Sequence, residues 1–455
     1  SSFTSDLART ILVTSDRYLE MEGIMLKKGL MVLLLVVTSA VFVFAAGQSG
    51  GSSAAAETIE LKYQVWITPN LTRDFYDGVV AAFEAKNPNV KVEIIEVSAT
   101  ASSGASDFIR NRIAAGDVPD VMSNLGDVPS FADAGHLWAM PLDDPDLARI
   151  NDVSSVAYKG DVYKLPQSVQ PQSIMYYNKD LWAKSGLTDA DIPLTMDDFD
   201  KVCAKIKAAG YTPILTGGEW VPLVFWEYFI GPEITKNYPD WWTQVYAGKK
   251  KWTDPDVMEL VGILDDFVKK GYFNEGALSI GYAQLEQEFL SGNGVMYPMG
   301  SWFTAAEASA DKDWETGAFA VPTLDGKVNL LRSGGYGSSA AVSAASENPE
   351  MAFELVKFLV LDPEFGAKFI QADGLYSNLN PPLEYEMSQL QQDLANLTSG
   401  ADYSRSMLSH VLGDAAPPGV GDFFTRGGEA ILSQSYKSLE DLCQQIDDFV
   451  AETRE

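Results

Sequence analysis

The sequence predicts an α/β protein of two lobes, joined by several chain crossings and holding a cleft between them. Three observations carry this. The 455 residues exceed what one hydrophobic core usually supports. Short alternating apolar runs and helically spaced apolar residues interchange along the chain, as in strand–helix–strand units. The stretch from Gly160 to Asp180, GDVYKLPQSVQPQSIMYYNKD, then breaks that order. Its Pro166 and Pro171 exclude helix and make a poor central strand, so the run reads as a connector between lobes.

Taken in order, residues 1–24 show no periodic pattern and read as an extension upstream of the native start. Met25 opens a signal peptide over 25–46: Lys27 and Lys28, an apolar run from Leu30 to Phe44, and Val43 and Ala45 before a cleavage point after Ala45 or Gly47. An uncleaved anchor is the competing reading, and the run falls short of the ~20 apolar residues that a span needs. Residues 47–57, GQSGGSSAAAE, form a flexible linker.

From Thr58 the pattern settles. Ile59, Leu61, Tyr63 and Val65 alternate toward Trp66, then Phe75, Val79 and Phe83 recur at helical spacing, and Val90, Val92 and Ile94 alternate again. A helix bearing Ile109 and Ile113 stops at Gly116, and the turn through Asp120 leads into Val121 and Met122 as the third strand. Asp120 reads as a turn carboxylate that holds backbone N–H groups, rather than as a catalytic acid.

Beyond the connector, Ile174 and Tyr176 start a strand, and Asn178, Lys179 and Asp180 open a helix. Thr195 with Asp198 forms a capping box for a helix carrying Phe199, Val202 and Ile206 and ended by Gly210. An aromatic region follows, with Trp220, Phe225, Trp226, Tyr228, Phe229, Trp241, Trp242 and Trp252. Leu285 to Leu290 leads through a glycine turn to the strand Val295–Met299, which sets Trp302 at a strand's C-terminal end, where α/β proteins bind ligands. Phe319–Pro322 reads as a second crossing and Gly374–Pro382 as a third. These crossings divide the chain into one lobe of 58–171 and 322–372 and a second of 172–321 and 373–455.

The net charge of -30 argues against nucleic acid and anionic membranes as partners. Cys203 and Cys443 stand beside core positions of amphipathic helices and read as buried free thiols. His136 and His410 are isolated, so no Cys/His metal site is expected, although carboxylates alone remain open as ligands. Adjacent Tyr176 and Tyr177 suggest a ferric site but have no helping histidine or carboxylate nearby, and read as structural. Gly335, Gly337 and Ala340 match a dinucleotide fingerprint by letters only, without its strand–turn–helix setting. No cofactor is expected.

The phrases "YKLP" then "YYNKD", "AAGDVPDV", and "F-x-x-G-x-G-x-M" (Phe289 to Met296) followed by "GSW" resemble the family 1 extracellular solute-binding proteins of bacterial ABC importers, carbohydrate class. The resemblance runs over nearly all of the chain from Thr58. It implies a class II-like, two-lobe periplasmic binding protein fold with several hinge crossings. It also implies a monomer that captures a sugar by hinge bending, without converting it, and delivers it to a membrane permease. In this family a lipidated cysteine often precedes the linker. None stands here, so a soluble periplasmic protein is expected.

A sugar site needs aromatic faces for C–H patches and planar polar groups for hydroxyls. Trp302 is the foremost stacking candidate. Trp220 and Trp226, beside Glu219, share a second position: at least one should line the cleft and the other belong to the core. Trp66, Asn124 and Asp127 follow the first and third strands. Gly334, Gly335 and Tyr336 would bring backbone N–H groups and a phenol close to the ligand, and Arg332 is the basic residue to watch as a carboxylate partner. Three further readings stay open. Glu219, Asp127 and the acidic balance suit a cationic ligand such as a polyamine. A secreted glycoside hydrolase or lyase would need a carboxylate pair flanking a bond, and none is singled out among the 63 acids. A surface lectin would dispense with the hinge.

Overall fold

Alternation builds the first sheet. Strand β1 (Ile59–Ile67) buries Leu61, Tyr63 and Val65 on one face, the period of two that a pleat imposes. Thr72 accepts the Phe75 N–H to cap α1 (Arg73–Lys86), whose Tyr76, Val79, Val80 and Phe83 are buried. Strand β2 (Val90–Ser98) runs parallel to β1, with Ile59 opposite Val90. Helix α2 (Gly104–Ala115) ends at Gly116, φ 69°, which suits glycine, and β3 (Val121–Ser123) lies parallel to β1. Asp120 Oδ2 accepts the Lys62 N–H at 2.7 Å, the structural role read for it. The computed structural model describes residues 57–453 apart from 99–103, 127, 152, 167, 333–338, 400, 409, 412–413 and 418. The extension, signal-peptide and linker readings for 1–56 therefore lie outside the described residues.

Strands β4 (Lys164–Pro166), β5 (Pro171–Gln172) and β6 (Ile174–Asn178) follow closely, yet each belongs to a different sheet. This is the proline-marked connector. The chain then forms α3 (Met196–Ala208), capped by Thr195 Oγ1 on the Asp198 N–H at 3.1 Å, then α4 (Pro255–Lys269) and α5 (Tyr282–Leu290). Strand β7 (Met296–Met299), helix α6 (Phe303–Ser309), and strands β8 (Thr316–Ala320), β9 (Asn329–Arg332) and β10 (Ser339–Val342) come next. Helices α7 (Pro349–Leu361) and α8 (Phe365–Ala372), strand β11 (Asp402–Arg405), and helices α9 (Val420–Ser433) and α10 (Leu439–Glu452) complete the order used below.

The first lobe is a five-stranded sheet, β2-β1-β3-β10-β4, with β10 antiparallel to both neighbours. One face carries a core that includes Phe83, Phe353 and Phe369. Ile109, Met122 and Phe131 cover the other. The second lobe holds the antiparallel sheet β7-β6-β8, and β11-β9-β5 forms a smaller one. Because β9 pairs with β5 and β11, the chain returns to the first sheet between Arg332 and Ser339, later than the Phe319–Pro322 stretch expected. Val321 N–H donates to Ser173 O at 2.8 Å, which keeps that earlier run on the edge of the second lobe. The connector meets the Gly374–Pro382 stretch where Val169 bridges Tyr376, and Leu375 and Leu379 of that stretch, expected as a third crossing, pack in the first-lobe core.

The aromatic region is mostly second-lobe core. Trp226, Trp242 and Trp252 are buried around Phe424, and the buried Trp241 packs on Trp252. Cys203 and Cys443 are buried free thiols, and burial pushes the Cys443 thiol up to about 12. Tyr176 and Tyr177 are buried, with the Tyr176 phenol donating to Gly300 O at 3.0 Å. Among the described residues no His/Cys/Asp/Glu group could hold a metal ion, and no helix is long and apolar enough to cross a membrane.

Candidate ligand cavity

The ends of β1 and β3 and the chain segments facing them enclose a cavity of about 230 Å³. From the first lobe come Trp66 at the end of β1, Asn70 and Leu71 before α1, Tyr76 on α1, and Ser123 and Asn124 at the end of β3. Gln170 enters from the connector, Trp220, Tyr282 and Trp302 from the second lobe, and Asp373 from the end of α8. Strand C-terminal ends are where open α/β sheets place ligands.

Three aromatic rings set the second-lobe wall. Trp220 lies 6.4 Å from Trp302 and 5.0 Å from Tyr282, centroid to centroid, at interplanar angles of 59° and 54°. The Trp302 ring is partly buried against the cores of both lobes. Gly300 makes room for it, because a Cβ at that position would fall on the Trp302 ring. Gly300→Ala is therefore expected to turn the indole into the cavity and weaken ligand binding several-fold with little loss of helix content. Calorimetric titration beside circular dichroism checks this.

Asn70 ties the polar side together. Its Nδ2 donates to Trp302 O at 3.0 Å and to Asp373 Oδ1 at 3.1 Å, so one side chain spans both lobes. Asp373 is 6% exposed. Burial pushes its carboxyl up to about 7, opposed by the Asn70 hydrogen bond and reinforced by the charge of Glu286. Glu286 on α5 is likewise buried and pushed up to about 7, and the Tyr282 phenol donates to it at 3.5 Å. A second cavity, of about 850 Å³, shares Asn70 with the first and is lined in part by Glu286, Thr304, Gln371 and Gln391.

Four of the residues singled out in the sequence, Trp66, Asn124, Trp220 and Trp302, stand together on this cavity. Trp226 does not. It lies in the six-residue π-helix Phe225–Ile230, in which every residue is buried, and stacks on Phe424 at 5.1 Å and 17°. Of the Trp220–Trp226 pair it takes the core position. Glu219 also leaves the ligand set, since its Oε2 accepts the Tyr282 N–H at 3.0 Å and caps α5. Asp127, Gly334, Gly335 and Tyr336, like the Arg332 side chain, lie outside what the structure describes. Asn70, Tyr76, Tyr282 and Asp373 went unnoticed in the sequence. No motif marks them, and 303 residues separate Asn70 from Asp373.

The sequence model of the bacterial extracellular solute-binding proteins matches residues 68–364. A multiple sugar-binding protein of Streptococcus mutans is 25% identical over 379 residues, covering 80% of this chain and 84% of its own. An uncharacterized ABC transporter extracellular-binding protein of Pyrococcus horikoshii is 27% identical over 251 residues, 47% of this chain, and the chain spans 55% of that relative's length. Among solved structures, a chitin oligosaccharide binding protein superposes with a TM-score of 0.75 at 22% identity, over 87% of this chain and 99% of that one. A solute-binding protein in complex with raffinose gives 0.66 at 20% identity, over 88% and 100%. At these identities the superpositions speak for the two-lobe fold. The chain belongs to the family of bacterial extracellular solute-binding proteins.

Proposed function

We propose that this protein is the substrate-binding component of an ABC importer, capturing a mono- or oligosaccharide between its lobes and handing it to a membrane permease. The observation that carries this is the cavity wall. Trp66, Trp220, Tyr282 and Trp302 offer faces for pyranose C–H patches, and Asn70, Asn124, Gln170 and Asp373 offer planar groups for hydroxyls. The sugars named for the relatives above, multiple sugars, chitin oligosaccharide and raffinose, support the same class. In this reading the protein is exported by the signal peptide over 25–46, works as a soluble periplasmic monomer, and closes by hinge bending at the crossings. Asn70 spans the lobes in the closed form, and its link to Trp302 parts on opening, while its link to Asp373 stays within the first lobe. Catalysis has no part in it.

A polyamine-type cation is the second reading. It has lost Glu219 to the α5 cap but gains Asp373 among the aromatic rings. A thermal-shift panel separates the two, with neutral mono- and oligosaccharides, uronates, polyamines and amino acids as candidates. Ligand at a hundred times its dissociation constant adds about 2.7 kcal/mol, enough for a shift of a few degrees. A shift with a sugar group is the expected result, with the bound sugar recovered intact by chromatography. A shift with polyamines alone would replace the reading, and hydrolysis products growing with time would make the protein an enzyme.

A further inference from the structure

We propose that Asp373, backed by Glu286, acts as a charge filter: the cavity prefers a sugar bearing a protonated amine over its neutral counterpart, and rejects one bearing a carboxylate. This rests on the sugar-capture reading above and adds to it the charge of the sugar.

The first ground is an incompletely satisfied carboxyl. Asp373 is 6% exposed, faces the cavity, and takes one side-chain hydrogen bond among the described residues, from Asn70 to Oδ1 at 3.1 Å. Its Oδ2 is left for the ligand. A buried carboxylate held by a single amide donor is costly, so a ligand that satisfies it gains the difference.

The second ground is the charge around it. Glu286, 2% exposed, adds its own repulsion and holds, among the described residues, a single hydrogen bond of 3.5 Å, from the Tyr282 phenol. No lysine or arginine stands among the described residues of the cavity wall. Lys312, just past α6, and Lys368 on α8 are paired with Glu307 and Glu364, at 2.8 and 2.7 Å. The phenols of Tyr76 and Tyr282, which also feel the Asp373 charge, are held protonated by burial. At neutral pH the site therefore carries a share of negative charge with no counter-charge among the described residues.

The third ground is the wall itself. Indole and phenol faces attract cations as well as C–H patches, so an ammonium on the sugar meets both the rings and Asp373 Oδ2. An ammonium would make a charge-assisted hydrogen bond there and relieve the repulsion between the two carboxyls. A hydroxyl supplies only the hydrogen bond, and a sugar carboxylate brings a further negative charge into a desolvated site.

The test is calorimetric titration at neutral pH with matched sets: glucosamine, glucose and glucuronate, and the β1,4-linked glucosamine disaccharide, cellobiose and cellobiouronate. The amine member is expected to bind at least tenfold more tightly than the neutral one, about 1.4 kcal/mol, and the acid most weakly. In Asp373→Asn the amine-to-neutral ratio should collapse toward one, and in Glu286→Gln it should fall by a smaller factor, with thermal melts showing that both variants fold. A neutral sugar that binds as well as its amine counterpart, or an Asp373→Asn loss that leaves the ratio unchanged, overturns the filter. Neutral sugars bound with no amino sugar bound also overturn it, while leaving sugar capture intact. Silence toward every sugar here and in the thermal-shift panel overturns both.

Discussion

Trp302→Ala is expected to weaken sugar binding at least tenfold, about 1.4 kcal/mol, while the protein stays folded. The ring makes up one side of the cavity, lies 6.4 Å from Trp220, and shares the wall with Tyr282. Its removal thus takes away a stacking face and also loosens the two rings beside it. A partly buried indole between two cores contributes to stability too, at less than the 3–5 kcal/mol typical of a fully buried tryptophan cut to alanine. The two roles separate in a double-mutant cycle with Trp220→Ala. Because the rings are neighbours, their losses in affinity should not add, with a coupling on the order of 0.5–1 kcal/mol. Calorimetry with the sugar that gives the largest thermal shift measures it. Unchanged affinity together with a lowered melting temperature would assign Trp302 to the core alone.

What could be read from the sequence was whatever local spacing encodes. The alternation of Leu61, Tyr63 and Val65, the Thr195 cap and the prolines of the connector each depend on a few neighbouring residues, and each appears in the fold. Trp66, Asn124 and Trp302 were accessible for the same reason, since the end of a strand is a local property. The Trp220–Trp226 ambiguity is different. Both stand in one aromatic run, and only the stacking of Trp226 on Phe424, far along the chain, decides which is core. Asp373 is the limiting case. At the end of α8 it resembles any helix-terminal acid, and it becomes a cavity residue only because Asn70 and Glu286 arrive from other parts of the chain. The late return to the first sheet was hidden likewise, because the strand β9 that delays it is defined by its pairing with β5 and β11.

Three buried carboxyls make stability fall as pH rises, the reverse of the usual carboxylate effect. Burial pushes Glu227, Glu286 and Asp373 each up to about 7, from ordinary values of 4.5, 4.5 and 3.8. Between the ordinary and the raised value, the folded state keeps a proton that the unfolded chain has released. The unfolded state then binds fewer protons, so the free energy of unfolding declines with pH through this window and stays low above it. Paired surface carboxylates such as Asp325, held at about 2 chiefly by Lys236, act the other way and lose their contribution as pH falls through their own lower range. The melting temperature of the ligand-free protein is therefore expected to be higher near pH 5 than near pH 8.

Glu227 is the probe that leaves the cavity untouched. Its carboxyl is buried in the second lobe near Ser406, where desolvation outweighs the hydrogen bonding that opposes it, and has Oε1 without a partner. Each pH unit of displacement is worth about 1.4 kcal/mol. Moving this one group from 4.5 to about 7 thus costs on the order of 3 kcal/mol near pH 8. Glu227→Gln cannot ionise, so it should narrow the gap in melting temperature between about pH 5 and about pH 8 by a few degrees, read by scanning calorimetry. A wild-type melting temperature that is level or rising across that interval would mean that these carboxyls ionise in the folded protein about as readily as in the unfolded chain. A gap that survives Glu227→Gln undiminished would remove Glu227 from the cause and leave the two cavity carboxyls to account for it.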